Sequence, residues 1–341
     1  SVSAFLLNRS SDLEIDGCAE TDNSVAGGLV GFAGYTYGEN GTSEETYTVA
    51  NCVVREAVKV RSTECAGGVV GLVSDLYANT QYEIINCTME GTADPFYVGG
   101  SAAAGGIVGH MWYGKVRGCT NHQKVVGGTS SLGGCVGGII GLLDYGAYDD
   151  ISDCVNYGQV CSADRRHSVN VGGIAGGTRG GMIYSGGHIR NCMNHADVTG
   201  SLMCGGIVGC LFSGSPSFVQ NCHNYGQVTC NGSTSAGGIL GGSCGRINAC
   251  YIVECSNFGD VVVNHQDEGS AGGILGEVRD IDQEIYILNV FNRGSVSAPQ
   301  YAGGILGGTM DTRNCTIQNV YNTGEVITGE ETKGAIAYIH L

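Results

Sequence analysis

The sequence predicts an all-β fold, a parallel β-helix (β-solenoid) of about ten coils that fills residues 1–341 as a single domain. Glycine supplies 60 of the 341 residues and proline only 3, which excludes both collagen and a Pro/Gly-rich disordered chain. Two short motifs alternate from one end of the chain to the other with a repeat of 31–40 residues. Because these repeats follow one another without a boundary, we expect one domain. Hydrophobic residues make up 42% of the chain and charged residues 14%, so a large core can form.

The first motif is a glycine-rich hexad, for which A-G-G-I-x-G is the typical form. Its paired glycines let the backbones of neighbouring coils approach at a corner where a Cβ atom would clash. The branched residue that follows supplies a bulky core layer. Units of this size cannot bury a face alone and must stack, which places equivalent residues about 4.8 Å apart. The copies lie at 26–31, 66–71, 104–109, 136–141, 171–176, 204–209, 236–241, 271–276 and 302–307, with a worn copy at 333–338.

The second motif has the form (N/D)-C-x-N-x-G-x-V and is typical of extended chain. Successive side chains in a strand point to opposite faces. We therefore expect Cys222, Asn224 and Val228 to point inward, and Tyr225 and Gln227 to point outward. Apolar residues at helical spacing are absent, and each glycine would weaken a helix by about 1 kcal/mol. The clearest copies lie at 153–160, 221–228 and 319–326.

The asparagine of the second motif is expected to form a ladder inside the solenoid. Stacked coils would bring each side-chain amide to the next, so that every buried amide finds a partner. An unpaired buried polar group would otherwise cost about 1–3 kcal/mol. The ladder would consist of Asn121, Asn156, Asn194, Asn224, Asn257, Asn292 and Asn322.

Seventeen cysteines occur, and eight of them share one register of the second motif. Val290 and Val320 hold this position in the last two copies, which indicates a small buried hydrophobic side chain. Buried free thiols are therefore the main expectation, with some bridges between coils as the alternative. Cys244 and Cys250, which lie outside this register, are the best candidates for a bridge. No C-x-x-C occurs, which argues against zinc or iron–sulfur binding. The eight are Cys18, Cys52, Cys87, Cys119, Cys154, Cys192, Cys222 and Cys255.

The double pattern resembles the GLUG-motif repeat family, and the copies AGGLVG, AGGIVG and AGGILG carry the resemblance over residues 15–339. The resemblance implies a secreted or cell-surface bacterial protein of adhesin type, of which this chain would be a segment. The family repeat is also similar to one that flanks some surface immunoglobulin-A metallopeptidases. The zinc motif H-E-x-x-H is missing here, so a peptidase activity would need a domain outside this segment.

The charge balance disfavours several classes of partner. Lysine and arginine number 16 against 32 aspartates and glutamates, which gives a net charge of −16. Such a surface repels phosphate backbones and anionic lipid, so we expect no nucleic-acid partner and no membrane insertion. No apolar run approaches the roughly 18 residues of a spanning helix. We expect a monomer that needs no cofactor.

Short matches to catalytic motifs do not outweigh this interpretation. Residues 241–245 fit G-x-S-x-G, but that motif needs a strand-to-helix turn, and no helix is expected here. Residues 109–115 have the glycine–lysine spacing of a P-loop, but Val116 replaces the required hydroxyl residue. His122 and His195 share an outward register, and we interpret them as solvated surface rather than as ligands.

Aromatic residues in the loops after the hexad form the first candidate site. If the coils stack, these rings would line one face of the rod as platforms for sugars. The alternative is that they pack against the wall of the solenoid. The candidate binding residues are Tyr77, Tyr82, Trp112, Tyr113, Tyr145 and Tyr148.

Acidic residues form the second candidate site. Asp280, Asp282 and Glu284 alternate on one loop, and Asp311 lies in the loop of the next coil. Such carboxylates could hold calcium or act as acid and base on a glycosidic bond. The alternative is a solvated acidic loop.

The predicted function is a non-catalytic, adhesin-like or structural module that is secreted or displayed on a bacterial cell. Its loops vary while its scaffold positions hardly change, which is typical of a rigid rod that displays recognition loops. The expected ligands are glycans or a host surface protein. The alternatives are a polysaccharide lyase or hydrolase that uses a β-helix groove, and a stalk that only spaces another domain.

Overall fold

The structure is a computed structural model. It describes residues 2–3, 13–17, 24–34, 46–55, 58–74, 81–91, 97–129, 134–144, 150–164, 168–179, 188–212, 216–232, 234–243, 249–279, 284–309, 314–329 and 333–334. All regular secondary structure in these residues is β-strand. The predicted all-β parallel β-solenoid is therefore confirmed. The same residues contain no helix with the length and apolar character that crossing a membrane requires.

The strands form five parallel sheets, and each full coil adds one strand to each sheet in turn. Three of the sheets have ten strands and two have nine. Sheet 1 consists of Val2–Ser3, Thr46–Ala50, Gln81–Ile85, Lys115–Arg117, Asp150–Ser152, His188–Arg190, Ser217–Gln220, Ala249–Val253, Glu284–Leu288 and Asn314–Gln318. Sheet 2 consists of Val53–Val54, Thr88–Met89, Thr120–Asn121, Val155–Asn156, Met193–Asn194, His223–Asn224, Ser256–Asn257, Phe291–Asn292 and Tyr321–Asn322.

The other three sheets carry the valine of the second motif and the two halves of the hexad. Sheet 3 consists of Leu13–Gly17, Val58–Ser62, Val98–Gly100, Val125–Gly127, Val160–Ser162, Val198–Gly200, Val228–Cys230, Val261–Val263, Val296–Ala298 and Val326–Thr328. Sheet 4 consists of Val25–Gly27, Cys65–Gly67, Ala103–Gly105, Gly134–Gly137, Val169–Gly172, Met203–Gly205, Ser235–Gly237, Ser270–Gly272, Tyr301–Gly303 and Lys333–Gly334. Sheet 5 consists of Val30–Gly34, Val70–Ser74, Val108–Met111, Ile140–Asp144, Ala175–Arg179, Val208–Phe212, Leu240–Ser243, Leu275–Val278 and Leu306–Thr309.

The second glycine of the hexad makes a close approach between coils. A Cβ atom on Gly106 would meet the carbonyl oxygen of Gly138 in the next coil and the side-chain amide of Asn121. The bulky residue after the glycines fills the core, as the fully buried Ile107, Ile139 and Ile174 show. The hexad thus combines a corner without side chains and a bulky core residue.

The predicted asparagine ladder is present. The side-chain Nδ2 of Asn156 donates to Oδ1 of Asn194 at 2.9 Å, and Asn194 donates to Oδ1 of Asn224 at 2.8 Å. The same geometry links every member from Asn121 to Asn322. The predicted faces are also correct, because Cys222, Asn224 and Val228 are fully buried while Tyr225 and Gln227 are exposed. Six inter-coil amide bonds therefore run through the wall between sheets 2 and 3.

The backbone conformation of the residue before each motif cysteine explains why the motif begins with Asn or Asp. At this corner the backbone adopts the left-handed conformation, with φ of 54° at Asn191 and 49° at Asn221. Asparagine and aspartate tolerate that conformation better than other residues with a Cβ atom. The cysteine that follows closes the corner, since Cys192 Sγ donates to the carbonyl oxygen of Arg190 at 3.2 Å. The Asn–Cys pair is therefore a turn signal. The sequence alone predicts from it only that the cysteine side chain is buried.

The described cysteines are free thiols. The seven motif cysteines from Cys52 to Cys255 are all buried, as expected. Cys250 is also a buried free thiol, so the expected bridge between Cys244 and Cys250 is wrong. It fails because the Cys250 side chain faces the core from sheet 1, in register with Ser217 and Ile285. Cys18 and Cys244 lie outside the described residues.

Candidate binding face

Of the six aromatic residues that the sequence proposes as a binding face, three are described. Tyr82 is only 5% exposed and faces the core, so the prediction that it offers an open platform is wrong. Its ring packs against Tyr47 with centroids 5.5 Å apart, beside an apolar cavity of about 160 Å³. Trp112 and Tyr113 are half-buried. Tyr77, Tyr145 and Tyr148 lie outside the described residues.

The predicted acidic site is described at one position only. Glu284 is half-buried and accepts a hydrogen bond from the hydroxyl of Tyr286 at 2.9 Å. This bond raises the pKa of the tyrosine. Asp280, Asp282 and Asp311 lie outside the described residues. Within the described ranges, no three His, Cys, Asp or Glu side chains are grouped so as to hold a metal ion.

A row of stacked aromatic rings runs along the outside of sheet 2. It occupies the position directly after the asparagine ladder, and its neighbouring ring centroids are 4.7–4.9 Å apart with planes within 9° of parallel. These rings are stacked, at a centroid separation that aromatic pairs favour. The exposed fractions of Tyr157 and Tyr225 are 49% and 43%. The ring row consists of His122, Tyr157, His195, Tyr225 and Phe258.

The backbone fixes the ring row in place. Each member donates its N–H to a carbonyl oxygen of the preceding coil, as Tyr225 does to Asn194 at 2.8 Å. From Tyr157 onward that carbonyl belongs to an asparagine of the buried ladder, and for His122 it belongs to the buried Met89. The rings are therefore attached to strands that backbone bonds and the ladder hold together, and equivalent positions repeat with the strand spacing of about 4.8 Å.

A second outward row of sheet 2 lies beside the ring row. Within it, His223 Nδ1 lies 2.6 Å from the hydroxyl of Ser256, and burial lowers the pKa of this histidine. The guanidinium of Arg293 lies 5.6 Å from the ring centroids of both Phe258 and Phe291, so it extends the ring row by one cation–π contact. This second row consists of Thr120, Val155, Met193, His223, Ser256 and Phe291. We call the two rows together the aromatic strip.

The aromatic strip has almost no acidic residues although the protein carries a net charge of −16. Among the described outward positions of sheet 2, between Val53 and Thr323, Glu90 is the only carboxylate. Acids lie at the two corners that border the sheet instead. On one side Asp197 and Asp260 accept backbone N–H groups of the next coil, at 3.0 and 2.9 Å. The strip is thus an aromatic surface bordered by carboxylates.

A second stack of rings lies on sheet 1. His188, Phe218, Tyr251 and Tyr286 have neighbouring centroids 4.6–4.9 Å apart, and the three aromatic members from Phe218 to Tyr286 are half-buried. We call these four residues the sheet 1 rings. They offer less free surface than the ring row.

The same row of sheet 1 continues as an ion-pair cluster. Asp150 accepts hydrogen bonds from Arg117 at 2.9 Å and from Arg190 at 2.7 Å. The Asp150 carboxylate raises the pKa of the Arg190 guanidinium. One carboxylate therefore links three consecutive coils, which is a structural role.

Cys65, His110 and Asp144 meet from three consecutive coils on the outside of sheets 4 and 5. The Sγ of Cys65 lies 3.9 Å from Nδ1 of His110, and Nε2 of His110 lies 3.1 Å from Asp144. The order thiol, imidazole, carboxylate is that of a cysteine nucleophile with its base. Burial, and then the charge of Glu64, raise the pKa of Cys65 to about 12, so the thiol stays protonated at neutral pH. Its backbone N–H donates to Ser24, at 3.4 Å, and cannot stabilise an oxyanion.

Another buried acid that the sequence interpretation missed is Glu277, on the outside of sheet 5. It is 4% exposed, and desolvation raises its pKa against the opposing effect of Arg279, whose Nε lies 2.8 Å away. Its neighbours in the row are Gly242 and Gly308, which add no second titratable group. One paired carboxylate does not make an acid–base pair.

Aligning the repeats would have revealed the ring row and the cluster of Cys65, His110 and Asp144. The ring row is the x of N-x-G in the second motif, and the Cys65, His110 and Asp144 positions lie one residue before, one after and three after successive hexads. The strip was missed because the shared outward register of His122 and His195 was interpreted as solvated surface, without the stacking of rings from neighbouring coils.

Comparisons with known proteins identify no family for this chain. No family model matches the chain, and no curated protein matches it. The chain is similar to a crystal structure of a Bacteroides ovatus protein named a "putative immunoglobulin A1 protease", with 16% identity and a TM-score of 0.40. The alignment covers 82% of this chain and 67% of that one. A likeness this distant carries no argument about activity.

Proposed function

We propose that this chain is a non-catalytic recognition module of a secreted or cell-surface, adhesin-like protein, and that it binds a glycan or protein ligand through the aromatic strip. The observation that supports this most is the ring row, an ordered and exposed series of rings on a rigid wall. Rings held in register lose little conformational entropy when a ligand binds. A row of similar contacts also adds avidity along a repetitive ligand.

The composition of the strip supports a binding role. Tyrosine, phenylalanine, methionine and arginine are enriched at protein recognition surfaces, whereas charged acids are depleted at their centres. The strip has this composition, and its carboxylates lie at the border. A stalk that only spaces another domain would need no exposed aromatic row.

An enzymatic role receives less support from the described residues. Catalysis requires titratable groups of shifted pKa that converge on one point. His110 lies next to Cys65 and Asp144 lies next to His110, but the Cys65 thiol stays protonated. The Glu277 carboxylate is paired with Arg279. A polysaccharide lyase acts on uronic-acid chains, which a protein with a net charge of −16 repels. Binding without turnover is therefore the better-supported function.

A binding panel tests the proposal. The protein is incubated with immobilised neutral and acidic polysaccharides and with extracellular-matrix proteins, and retention is compared with that of the variant Tyr157→Ala/Tyr225→Ala. We expect at least one ligand whose affinity falls about tenfold or more in this variant, since each exposed aromatic contact contributes about 0.5–1.5 kcal/mol. The matched control is Tyr251→Ala/Tyr286→Ala, which removes two tyrosines of the sheet 1 rings and should leave retention unchanged. Equal loss in both variants, or release of soluble sugars from a polysaccharide, would contradict the proposal.

A further inference from the structure

We infer that the ligand of the aromatic strip is a neutral, linear, β-1,4-linked glycan that lies along the axis of the solenoid with one sugar per coil. This inference rests on the proposed binding function of the strip. It adds the chemical class of the ligand, its direction and its register.

The spacing of the ring row favours a sugar chain over a peptide. Neighbouring rings are 4.7–4.9 Å apart. An extended β-1,4-linked hexose chain advances by close to one strand spacing per sugar, so each sugar can meet one ring. An extended peptide advances about 3.3 Å per residue, and side chains on one face recur about every 6.6 Å. A β-extended peptide laid along the axis would therefore lose register with the rings within two coils.

The order of the rings has the repeat of a β-1,4-linked chain. Imidazole and phenol alternate over four coils, as His122, Tyr157, His195 and Tyr225. Each type thus recurs after two strand spacings, or about 9.6 Å. Successive sugars in an extended β-1,4-linked chain are turned over relative to each other, so its structural repeat is the disaccharide. Two coils would therefore accommodate one disaccharide.

The ring row provides both kinds of contact that a sugar needs. The exposed parts of Tyr157 and Tyr225, 49% and 43% of these residues, can contact the apolar C–H groups of a sugar. The tyrosine hydroxyls and the imidazole nitrogens can donate and accept hydrogen bonds with sugar hydroxyls. His122, Tyr157, His195 and Tyr225 are all exposed, and the two tyrosines, with the larger rings, are the principal contacts.

Charge decides between neutral and acidic glycans. The corners beside the strip carry Asp153 and Glu254 on one side and Asp197 and Asp260 on the other, all exposed. A uronate or sulfated chain between these rims would be repelled, and the repulsion would weaken with added salt. A neutral chain avoids this cost, and its hydroxyls can hydrogen-bond to the rim carboxylates.

The length of the row sets the length of the ligand. Five rings span four strand spacings, or about 19 Å. Affinity should therefore rise with chain length up to the pentasaccharide or hexasaccharide, at about threefold per added sugar, and then level off.

Calorimetric titration with oligosaccharides of β-1,4-linked glucose and β-1,4-linked N-acetylglucosamine, from the disaccharide to the heptasaccharide, tests the inference. In at least one series we expect affinity to rise and level off as stated. Tyr225→Ala should lower pentasaccharide affinity about threefold or more, and Tyr286→Ala should leave it unchanged. Circular dichroism of each variant verifies that the solenoid is intact, and α-1,4-linked glucose oligomers and oligogalacturonate serve as ligand controls.

The possible failures separate the inference from the function it rests on. Affinity that does not change with chain length, equal affinity for the α-linked or acidic oligomers, or no binding of either β-linked series would overturn the inference. Binding of a protein that depends on Tyr157 and Tyr225 would overturn it as well, yet leave the proposed function intact. If neither a glycan nor a protein depends on these tyrosines, the proposed function itself is wrong.

Discussion

Replacement of Asn194 by leucine should destabilise the solenoid by about 2–6 kcal/mol. The side chain lies at the middle of the buried ladder, where it accepts from Asn156 at 2.9 Å and donates to Asn224 at 2.8 Å. It also donates to the carbonyl oxygen of Ala196 at 2.7 Å. Leucine has a similar volume but restores none of these bonds. Two buried acceptors, on Ala196 and Asn224, then lose this donor at about 1–3 kcal/mol each. Asn156 loses one acceptor as well, but its amide keeps the bond to the carbonyl oxygen of Gly158.

Asn191→Gly is the matched control, because Asn191 lies on the outside of the same coil. Its side chain also makes two inter-coil bonds, to Asp153 at 3.0 Å and from Asn221 at 2.9 Å, but both are exposed to water. Glycine keeps the φ of 54° without strain. Water can replace the lost bonds, so we expect a cost of about 1 kcal/mol or less.

The assay is urea unfolding followed by far-ultraviolet circular dichroism at the strand minimum. Because a repeat protein can unfold in parts, both the midpoint and the slope of the transition should be compared between variants. If Asn194→Leu costs no more than Asn191→Gly, burial of the amide row contributes little to stability, and this account of the ladder is wrong.

Three further predictions concern the thiols, one corner and one histidine. Thiol titration of the native protein should detect few of the 15 described cysteines, since only Cys161 and Cys315 among them are partly exposed. Titration in denaturant should detect all of them. Equal counts in the two titrations would contradict the burial of these thiols. Glu254 occupies the left-handed corner position of its coil, with φ of 57°. Because asparagine tolerates this conformation better, Glu254→Asn should raise the free energy of unfolding in urea by about 0.5–1 kcal/mol. A lower free energy of unfolding would show that the 3.3 Å hydrogen bond from Gln220 to Glu254 matters more. Burial lowers the pKa of His223 in the folded protein. The contribution of the neutral His223 side chain to the stability of the fold is therefore fully present above the ordinary pKa of 6.5, and it is lost as the pH drops toward the lower pKa of the folded state. His223→Gln should flatten this dependence of the urea midpoint on pH, and an unchanged slope would show that other groups cause it.

The sequence predicts the scaffold well because its constraints are local and repeated. The alternation of Cys222, Asn224 and Val228 with exposed Tyr225 follows from the geometry of a strand, whatever the neighbours are. The hexad glycines specify a close approach, and the structure shows that approach at Gly106. Ten copies of the same constraint leave one way to stack the coils.

The candidate site was harder to predict because it depends on relations between coils. His122 alone looks like a solvated residue, and it becomes part of a binding surface only when Tyr157 lies 4.9 Å away in the next coil. In the sequence Tyr82 looks like a loop residue. It belongs to a strand, however, and because it lies two residues before the buried Ile84, its side chain points to the core. The convergence of Cys65 and His110 arises from positions next to the hexads of neighbouring coils, so it becomes visible only when the repeats are aligned. The loop residues of the predicted aromatic and acidic sites vary in length and spacing, so no repeat fixes where they point.

The asparagine ladder gives the solenoid an electrical direction. In parallel sheets the backbone N–H groups donate alternately forward and backward along the stack, as Gly106 does to the next coil and Thr120 to the preceding one, so their dipoles nearly cancel. The side-chain amides do not alternate, because every Nδ2 from Asn121 to Asn292 donates toward the following coil. Aligned amides polarise one another, which strengthens each bond by about 10–30%. The row therefore acts as a linear dipole with its positive end at Asn322, and its two ends are electrostatically different surfaces for any further coil.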